Sequence, residues 1–507
     1  MSRAKTICEL LESGDDTAIA LAAPDREPLT YAVLRQHVAG TVGVLHEMGI
    51  GRNDPVAIVL PNGPEMASAF AAVAACAATA PLNPAYREEE FEFYLSDLNA
   101  KILIVQEGSG TPARAVAKKL GIGIAELSVP AGSAAGLFKL QGESMGQESS
   151  RGADAEAADI ALVLHTSGTT SRPKIVPLTH ENICASAANV SKSLALTAAD
   201  RCLNVMPLFH IHGLIAAVLA SLGAGASVFC TPGFNGLKFF AWMKEANPSW
   251  YTAVPTMHQA IVERGRRNRE VAKAARLRLI RSSSASLPPR LMGALEELFD
   301  APMIEAYGMT EAAHQMASNP LPPRERKPGS VGLAAGPEVS IMDEKGRLLP
   351  SRSVGEVVIR GANVTPGYQD NPEVNASAFT NGWFRTGDQG MMDESGYLRL
   401  TGRLKEIINR GGEKISPREV DEVLLEHPAV VQAVTFAVPH DKLGEEVAVA
   451  IVLRKGATPT EREVREFAGK RLADFKVPRR VVFLDEIPNG PTGKLQRIGL
   501  AGKLGLG

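Results

Sequence analysis

The stretch Leu164-His165-Thr166-Ser167-Gly168-Thr169-Thr170-Ser171-Arg172-Pro173-Lys174 sets a run of Ser, Gly and Thr between an apolar strand and a lysine. Such a run offers closely spaced backbone N–H groups and hydroxyl donors without bulk, a fitting cradle for phosphate oxygens, and Lys174 adds a point charge. The pattern G-x-x-x-x-G-K-[ST] cannot be laid over it, so it is not a Walker A loop. Pro173 also bars the chain from running straight into a helix. A flexible polar turn would have the same composition, and this segment alone leaves both readings open.

Other segments carry comparable chemistry. Tyr307-Gly308-Met309-Thr310-Glu311 joins an aromatic face, a hydroxyl and a carboxylate within five residues. Stacking on a base, bonding a phosphate and holding magnesium would use all three, and magnesium needs only one or two carboxylates beside phosphate oxygens. A buried tyrosine with a capping threonine is the plainer alternative. Asp388 lies between glycine-flanked residues that read as a turn, where a carboxylate accepts two ribose hydroxyls or simply stabilises the turn. Lys494 sits in the Gly/Pro-rich loop Asn489-Gly490-Pro491-Thr492-Gly493-Lys494. An ammonium on such a loop can reach a closing site and stabilise charge that develops in a transition state, or remain a surface lysine.

These residues need a scaffold. Short β-branched runs alternate with helical stretches: Val56 to Leu60, Ile102 to Val105, Ile160 to Leu164, Ser227 to Cys230, Trp250 to Val254 and Leu277 to Arg281. The alternation predicts α/β layers with largely parallel sheets. Met66 to Ala80 reads as a buried Ala-rich helix, too short for a membrane span. Asn319 to Ser330 reads as an exposed loop. From Val339 the strand-sized segments between Gly/Asp turns predict an antiparallel, β-barrel-like subdomain. The residues after Arg403 predict a compact α+β unit with helices at 417–426 and 461–472 and strands at 430–438 and 446–453. The expected domains are therefore 1–402 and 403–507.

Bulk properties narrow the function. At 507 residues the chain is too long for one growing core. Hydrophobic content of 45% and charged content of 22% are those of an ordinary soluble globular protein. A net charge of −2 removes any composition-level case for nucleic-acid or membrane partners. The five cysteines Cys8, Cys76, Cys184, Cys202 and Cys230 are scattered and form no CxxC pair, which suits a reducing, cytoplasmic setting over disulfides or zinc. Nothing at the N-terminus reads as a signal peptide, and the chain is expected to act as a monomer or homodimer.

The segments above occur in order with Met206-Pro207-Leu208-Phe209-His210-Ile211-His212-Gly213, Trp383-Phe384-Arg385-Thr386-Gly387-Asp388 and Gly402-Arg403-Leu404-Lys405-Glu406. Together they resemble the adenylate-forming superfamily of acyl-CoA synthetases, luciferases and peptide-synthetase adenylation domains, over nearly the whole chain. Two positions depart from the common pattern, Ser171 and Ile175, where glycine is usual. The resemblance implies ATP, coenzyme A and Mg²⁺. It implies a phosphate loop of Thr166, Ser167, Gly168, Thr169, Thr170 and Lys174, and a base pocket of Ser284, Ala285, Ala306 and Tyr307. Thr310 would bond phosphate, Glu311 would hold the metal, and Asp388 and Arg403 would take the ribose. Lys494 would serve adenylation. The small domain would then turn about Lys405, bringing in a pantetheine tunnel of Gly412, Glu413 and Lys414.

The acid is narrower still. His210 and His314 fall where the family's acyl pocket lies, beside Gly308, and Ser284 supplies a further donor. A second carboxylate buried without partners is costly, and His and Ser donors offset that. The segments around Arg281 to Leu287, Thr310 to Met316 and Ile408 to Pro417 resemble oxalate–CoA ligases of plants and fungi. Oxalate is thus the expected substrate. The alternatives are malonate, another short-chain or aromatic acid, or an adenylating enzyme without transfer to coenzyme A.

Overall fold

The computed structural model describes residues 3–143, 154–166, 173–488 and 497–507. The chain divides into two compact units: one comprises residues up to Thr166, Lys174–Val339 and Ile359–Phe384, the other is built mainly of Ser340–Val358 and Arg385–Gly507.

In the first unit, one sheet has seven strands, with Pro55–Val59, Ala78–Pro81, Ile102–Gln106, Gly123–Ser128 and Ile160–Thr166 running parallel. Its last two strands, Ile160–Thr166 and Lys174–Thr179, form an antiparallel hairpin that brings Thr166 opposite Lys174. The second sheet has nine strands, and Arg201–Asn204, Trp250–Ala253, Leu279–Ser282 and Met303–Met309 are parallel neighbours within it. All four residues of Trp250–Ala253 are buried, as expected of a parallel strand covered on both faces. Around it Tyr251, Phe239, Phe299, Ile280 and Met303 form one core. Each fully enclosed aromatic or aliphatic side chain there contributes about 1.5–3 kcal/mol.

The sequence reading holds for the alternation and is corrected in places. Ser227–Cys230 forms the expected strand. The Ala-rich stretch is a helix only over Pro64–Ala74, and Ala78–Pro81 is a strand between two others. Alanine favours helix, but enclosure between neighbouring strands overrides that preference. The Asn319–Ser330 segment is anchored at both ends: Asn319 is buried and donates to Ser330 O at 2.6 Å.

The second unit carries antiparallel strands. Trp383–Met392 pairs with Leu398–Arg403, with Asp388 opposite Arg403. Asp388 therefore stands within a strand, not a turn, because only Gly387 beside it takes a positive φ, 72°. The C-terminal portion is α+β, with helices Pro417–Leu425 and Glu461–Gly469 against the paired strands Val430–His440 and Gly444–Leu453. Arg480–Leu484 adds a parallel strand that the sequence reading did not name. All five cysteines are free thiols. Among the described residues no helix is long and apolar enough to cross a membrane.

Candidate active site

Open α/β sheets place ligands at the carboxyl ends of their strands, and the candidate residues of the first unit cluster there. Leu279–Ser282 ends at Ser283-Ser284, and Met303–Met309 carries Tyr307 and Gly308 directly into Thr310-Glu311. The chain then doubles back as His314–Ser318, pairing Gly308 with Gln315 and Met309 with His314. This return needs glycine: a Cβ on Gly308 would stand 1.7 Å from the carbonyl oxygen of His314. The tight turn leaves Ala313 at φ 46° and His314 at φ 104°. Ser284 likewise sits at φ 72°. Strained non-glycine backbone of this kind costs about 1–3 kcal/mol per residue and concentrates at functional sites.

Glu311 is buried, and its Oε1 accepts the Tyr368 hydroxyl at 2.8 Å. Lys174 Nζ lies 4.4 Å from the centre of the same tyrosine ring. Tyr368 thus joins the lysine at the mouth of the hairpin to the carboxylate after Tyr307. The tyrosine's backbone is held by Asn375, which accepts Tyr368 N–H at 2.8 Å and donates to Tyr368 O at 2.7 Å. Asn182, which closes a capping box with Thr179, also donates to the carbonyls of Ala362 and Val364 at 2.8 and 3.0 Å. Asn363 donates to the carbonyls of Ala312 and Gln315. The sequence reading passed over Tyr368; its one local signal is the Pro-Gly turn before an aromatic, Pro366-Gly367-Tyr368.

Beside Ser284, His212 Nδ1 lies 3.0 Å from Ser284 Oγ, and the His212 and His314 rings are 5.0 Å apart, centre to centre. Both histidines are buried. The hydrogen bond to Ser284 comes from His212, two residues beyond the His210 singled out by sequence; His210 is half-buried and packs on Phe209, 4.9 Å between ring centres. A Cβ on Gly213 would fall 2.4 Å from Pro207 O, so this glycine lets the histidine-bearing turn close on itself. Burial, then the nearby His314 and Arg281, pushes the His212 imidazole well below its usual range, leaving it neutral. Ala306 and Tyr307 are buried, Thr166, Lys174, Ser284, Gly308 and Thr310 are half-buried, and Ala285 is exposed. Ser167, Gly168, Thr169, Thr170 and Lys494 lie outside the described residues.

In the second unit Asp388 is buried and accepts Arg403 Nε at 2.9 Å. Its strand is fixed by Thr386, which donates to Val357 O at 2.7 Å, and by Glu356, which accepts both Gly387 N at 2.9 Å and Arg385 Nη2 at 2.7 Å. Lys405 is exposed in the short 3₁₀ turn Leu404–Glu406. The tip Gly411-Gly412 joins strands Ile408–Arg410 and Glu413–Ile415 with φ of 59° and 98°, a two-residue hairpin turn that glycine suits. Gly412, Glu413 and Lys414 are exposed there. Arg497 pairs with buried Asp421 at 2.7 Å and with Glu406, next to Lys405, at 3.2 Å.

Comparison with known proteins accords with this layout. Residues 11–369 match the AMP-binding enzyme family, and residues 419–494 match the AMP-binding enzyme C-terminal domain. The chain is 47% identical to an oxalate–CoA ligase of Arabidopsis thaliana, over 94% of each chain. It is 43% identical to an oxalate–CoA ligase of Saccharomyces cerevisiae, over 88% of this chain and 86% of the relative. ATP-bound MatB from Rhodopseudomonas palustris has the same fold, with a TM-score of 0.88 and 30% identity over 98% of each chain. The chain belongs to the AMP-binding enzyme family and is an AMP-forming acid–CoA ligase, which takes ATP and coenzyme A as substrates.

Proposed function

We propose that the acid is oxalate and the product oxalyl-CoA. The observation that carries this reading is the group His212, Ser284 and His314, two buried histidines and a hydroxyl gathered at one end of the site. A long or aromatic acyl chain gains nothing from such a lining. A second carboxylate needs it, because an unpartnered buried charge is expensive. The relatives named for oxalate support the same choice.

The reaction runs in two steps. A carboxylate oxygen of the acid attacks the α-phosphorus of ATP, and the bond to the pyrophosphate oxygen breaks. The thiol sulfur of coenzyme A then attacks the acyl carbon, AMP leaves, and the thiol proton passes to solvent. Nothing in either step calls for an enzyme nucleophile. Lys174, Thr310 and Lys494 are assigned to charge stabilisation in the first step, where fixed donors act most strongly. Ser167, Gly168, Thr169 and Thr170 are assigned to the phosphates, Ser284, Ala285, Ala306 and Tyr307 to the base, and Asp388 with Arg403 to the ribose. Glu311, a buried carboxylate beside Tyr368, fits a magnesium ion, for which one carboxylate with phosphate oxygens suffices. Magnesium would neutralise phosphate charge. Lys405 is assigned as the hinge of a C-terminal domain beginning near residue 403, and Gly412, Glu413 and Lys414 as the pantetheine passage.

The test is pyrophosphate release from oxalate, malonate, acetate and benzoate, with and without coenzyme A. Release with oxalate, and a thioester only when coenzyme A is present, is expected. Strong turnover of benzoate with none of oxalate would defeat the reading. His314→Ala should lower kcat/KM for oxalate about 100-fold, the scale for losing a positioned donor; unchanged turnover would remove His314 from the site.

A further inference from the structure

Arg281 is among the largest fully buried side chains of the molecule, with no exposed surface. It stands on the interior strand Leu279–Ser282, in register with Thr252 on the neighbouring strand. Its Nη1 lies 3.3 Å from His212 Nε2 and 3.4 Å from Thr252 Oγ1, and its Nη2 lies 3.3 Å from Gln315 Oε1. Each of these partners is neutral. Among the described residues its Nε has no acceptor, and its hydrogen bonds go to His212, Thr252 and Gln315, none of them a carboxylate. Burial lowers its pKa to about 9, which still leaves it charged at neutral pH. A guanidinium enclosed without a counter-charge is costly, and the site that keeps one gains most when an anion arrives.

The contacts also fix a proton. Arginine can only donate, so His212 Nε2 accepts from Arg281. Thr252 Oγ1, 2.6 Å from the same nitrogen, accepts from Arg281 and turns its own hydrogen to the ring, so that the single lone pair of Nε2 is shared between the Thr252 hydroxyl and the longer Arg281 contact. The proton of the neutral imidazole therefore resides on Nδ1, since the bond at one ring nitrogen sets the tautomer at the other. Nδ1–H donates to Ser284 Oγ at 3.0 Å. A hydroxyl that accepts this bond must aim its own hydrogen elsewhere. Ser284 is half-buried at the end of its strand, held at φ 72°.

We propose that Arg281 is a positioning and specificity-determining residue. Acting through Thr252 and His212, it keeps the Ser284 hydroxyl a donor toward the substrate, and its charge selects acids that carry a second carboxylate. The proposal rests on the reading that the site accepts a small dicarboxylate.

The experiment compares wild type with Arg281→Met, which keeps volume and removes charge and donors, and with Arg281→Lys and Thr252→Val. For each, kcat and KM are measured with oxalate, malonate and acetate by ATP–pyrophosphate exchange, and folding is followed by circular dichroism. In Arg281→Met the ratio of kcat/KM for oxalate over acetate should fall at least tenfold, mainly through KM for oxalate. Exchange with acetate and KM for ATP should stay within twofold. Arg281→Lys should restore part of the ratio, and Thr252→Val should lower it about threefold. A folded Arg281→Met with an unchanged ratio overturns the proposal; if that variant does not fold, an unchanged ratio in Thr252→Val overturns it. A wild type that prefers acetate to both dicarboxylates sinks instead the reading on which the proposal rests. A wild type that prefers malonate leaves Arg281 to be judged by the malonate-to-acetate ratio.

Discussion

The Ser284–His314 region of the first unit and the glycine tip of the second are built on opposite plans. Around Ser284 and His314 the polar groups are enclosed, the backbone is forced to positive φ at Ser284, Ala313 and His314, and a buried arginine has only neutral partners. At the Gly412 tip Gly411, Gly412, Glu413 and Lys414 are exposed, and the positive φ falls on glycines that tolerate it. The first region holds its backbone strain and its buried cation inside the fold. The second keeps a bare, unstrained glycine turn. Substitutions in the two regions should therefore fail differently.

The largest effect is expected from Gly308→Ala. A methyl group 1.7 Å from His314 O cannot be accommodated without breaking the return of the chain. We expect a loss of at least about 3 kcal/mol in stability, the upper end for overpacking, and both half-reactions should disappear. A folded, active variant, by thermal melt and pyrophosphate release, would contradict the geometry.

Arg497→Ala tests whether the second unit has any comparably costly interior. It would leave Asp421 buried without its cation, and removing one partner of a buried pair costs about 3–5 kcal/mol. Chemical unfolding should show the C-terminal portion melting first. Acid should act on the first unit. His180 is buried, its Nδ1 accepts Ile7 N–H at 3.2 Å, and burial lowers its pKa to about 4. The unfolded chain then binds more protons than the folded one between about pH 6.5 and 4. The stabilisation from neutral His180 is complete above pH 6.5 and is lost as pH falls toward 4, by up to about 3 kcal/mol. His258, buried and lowered to about 4 by the same cause, acts in the same direction. Denaturant midpoints at pH 7 and pH 4.5 measure it, and His180→Asn should flatten the difference.

Gly412→Ala should have the mildest effect. Its φ of 98° places a strain of about 1–2 kcal/mol on any L residue. Pyrophosphate release should be unchanged while thioester formation falls about tenfold. An equal loss in both would blur the distinction between the two regions.

Much of this layout was legible in the sequence, and what was not has a physical reason. The strand at Ser227–Cys230 and the helix starting at Pro417 follow from local preference and punctuation. Pro173 bars a helix at that point, and the segment that follows it, Lys174–Thr179, is a strand. Ala78–Pro81 and Asp388 were misread because pairing with distant strands, not local composition, decides both. Gly308, Glu311 and His314 stand out as candidates in the sequence because they lie within seven residues of chain. The contacts of Tyr368, His212 and Arg281 are not legible in the sequence because their partners lie far along the chain: Glu311 for Tyr368, Thr252 and Ser284 for His212, Gln315 for Arg281. A buried arginine is also the last residue type that hydrophobic patterning would place on a central strand.

The most direct measurement is a single-pot competition with limiting ATP and coenzyme A and equal concentrations of oxalate, malonate, acetate and benzoate, with the thioesters resolved by mass. The enclosed histidines, Ser284 and Arg281 require oxalyl-CoA to be the dominant product. A mixture dominated by acetyl-CoA or benzoyl-CoA would contradict the account.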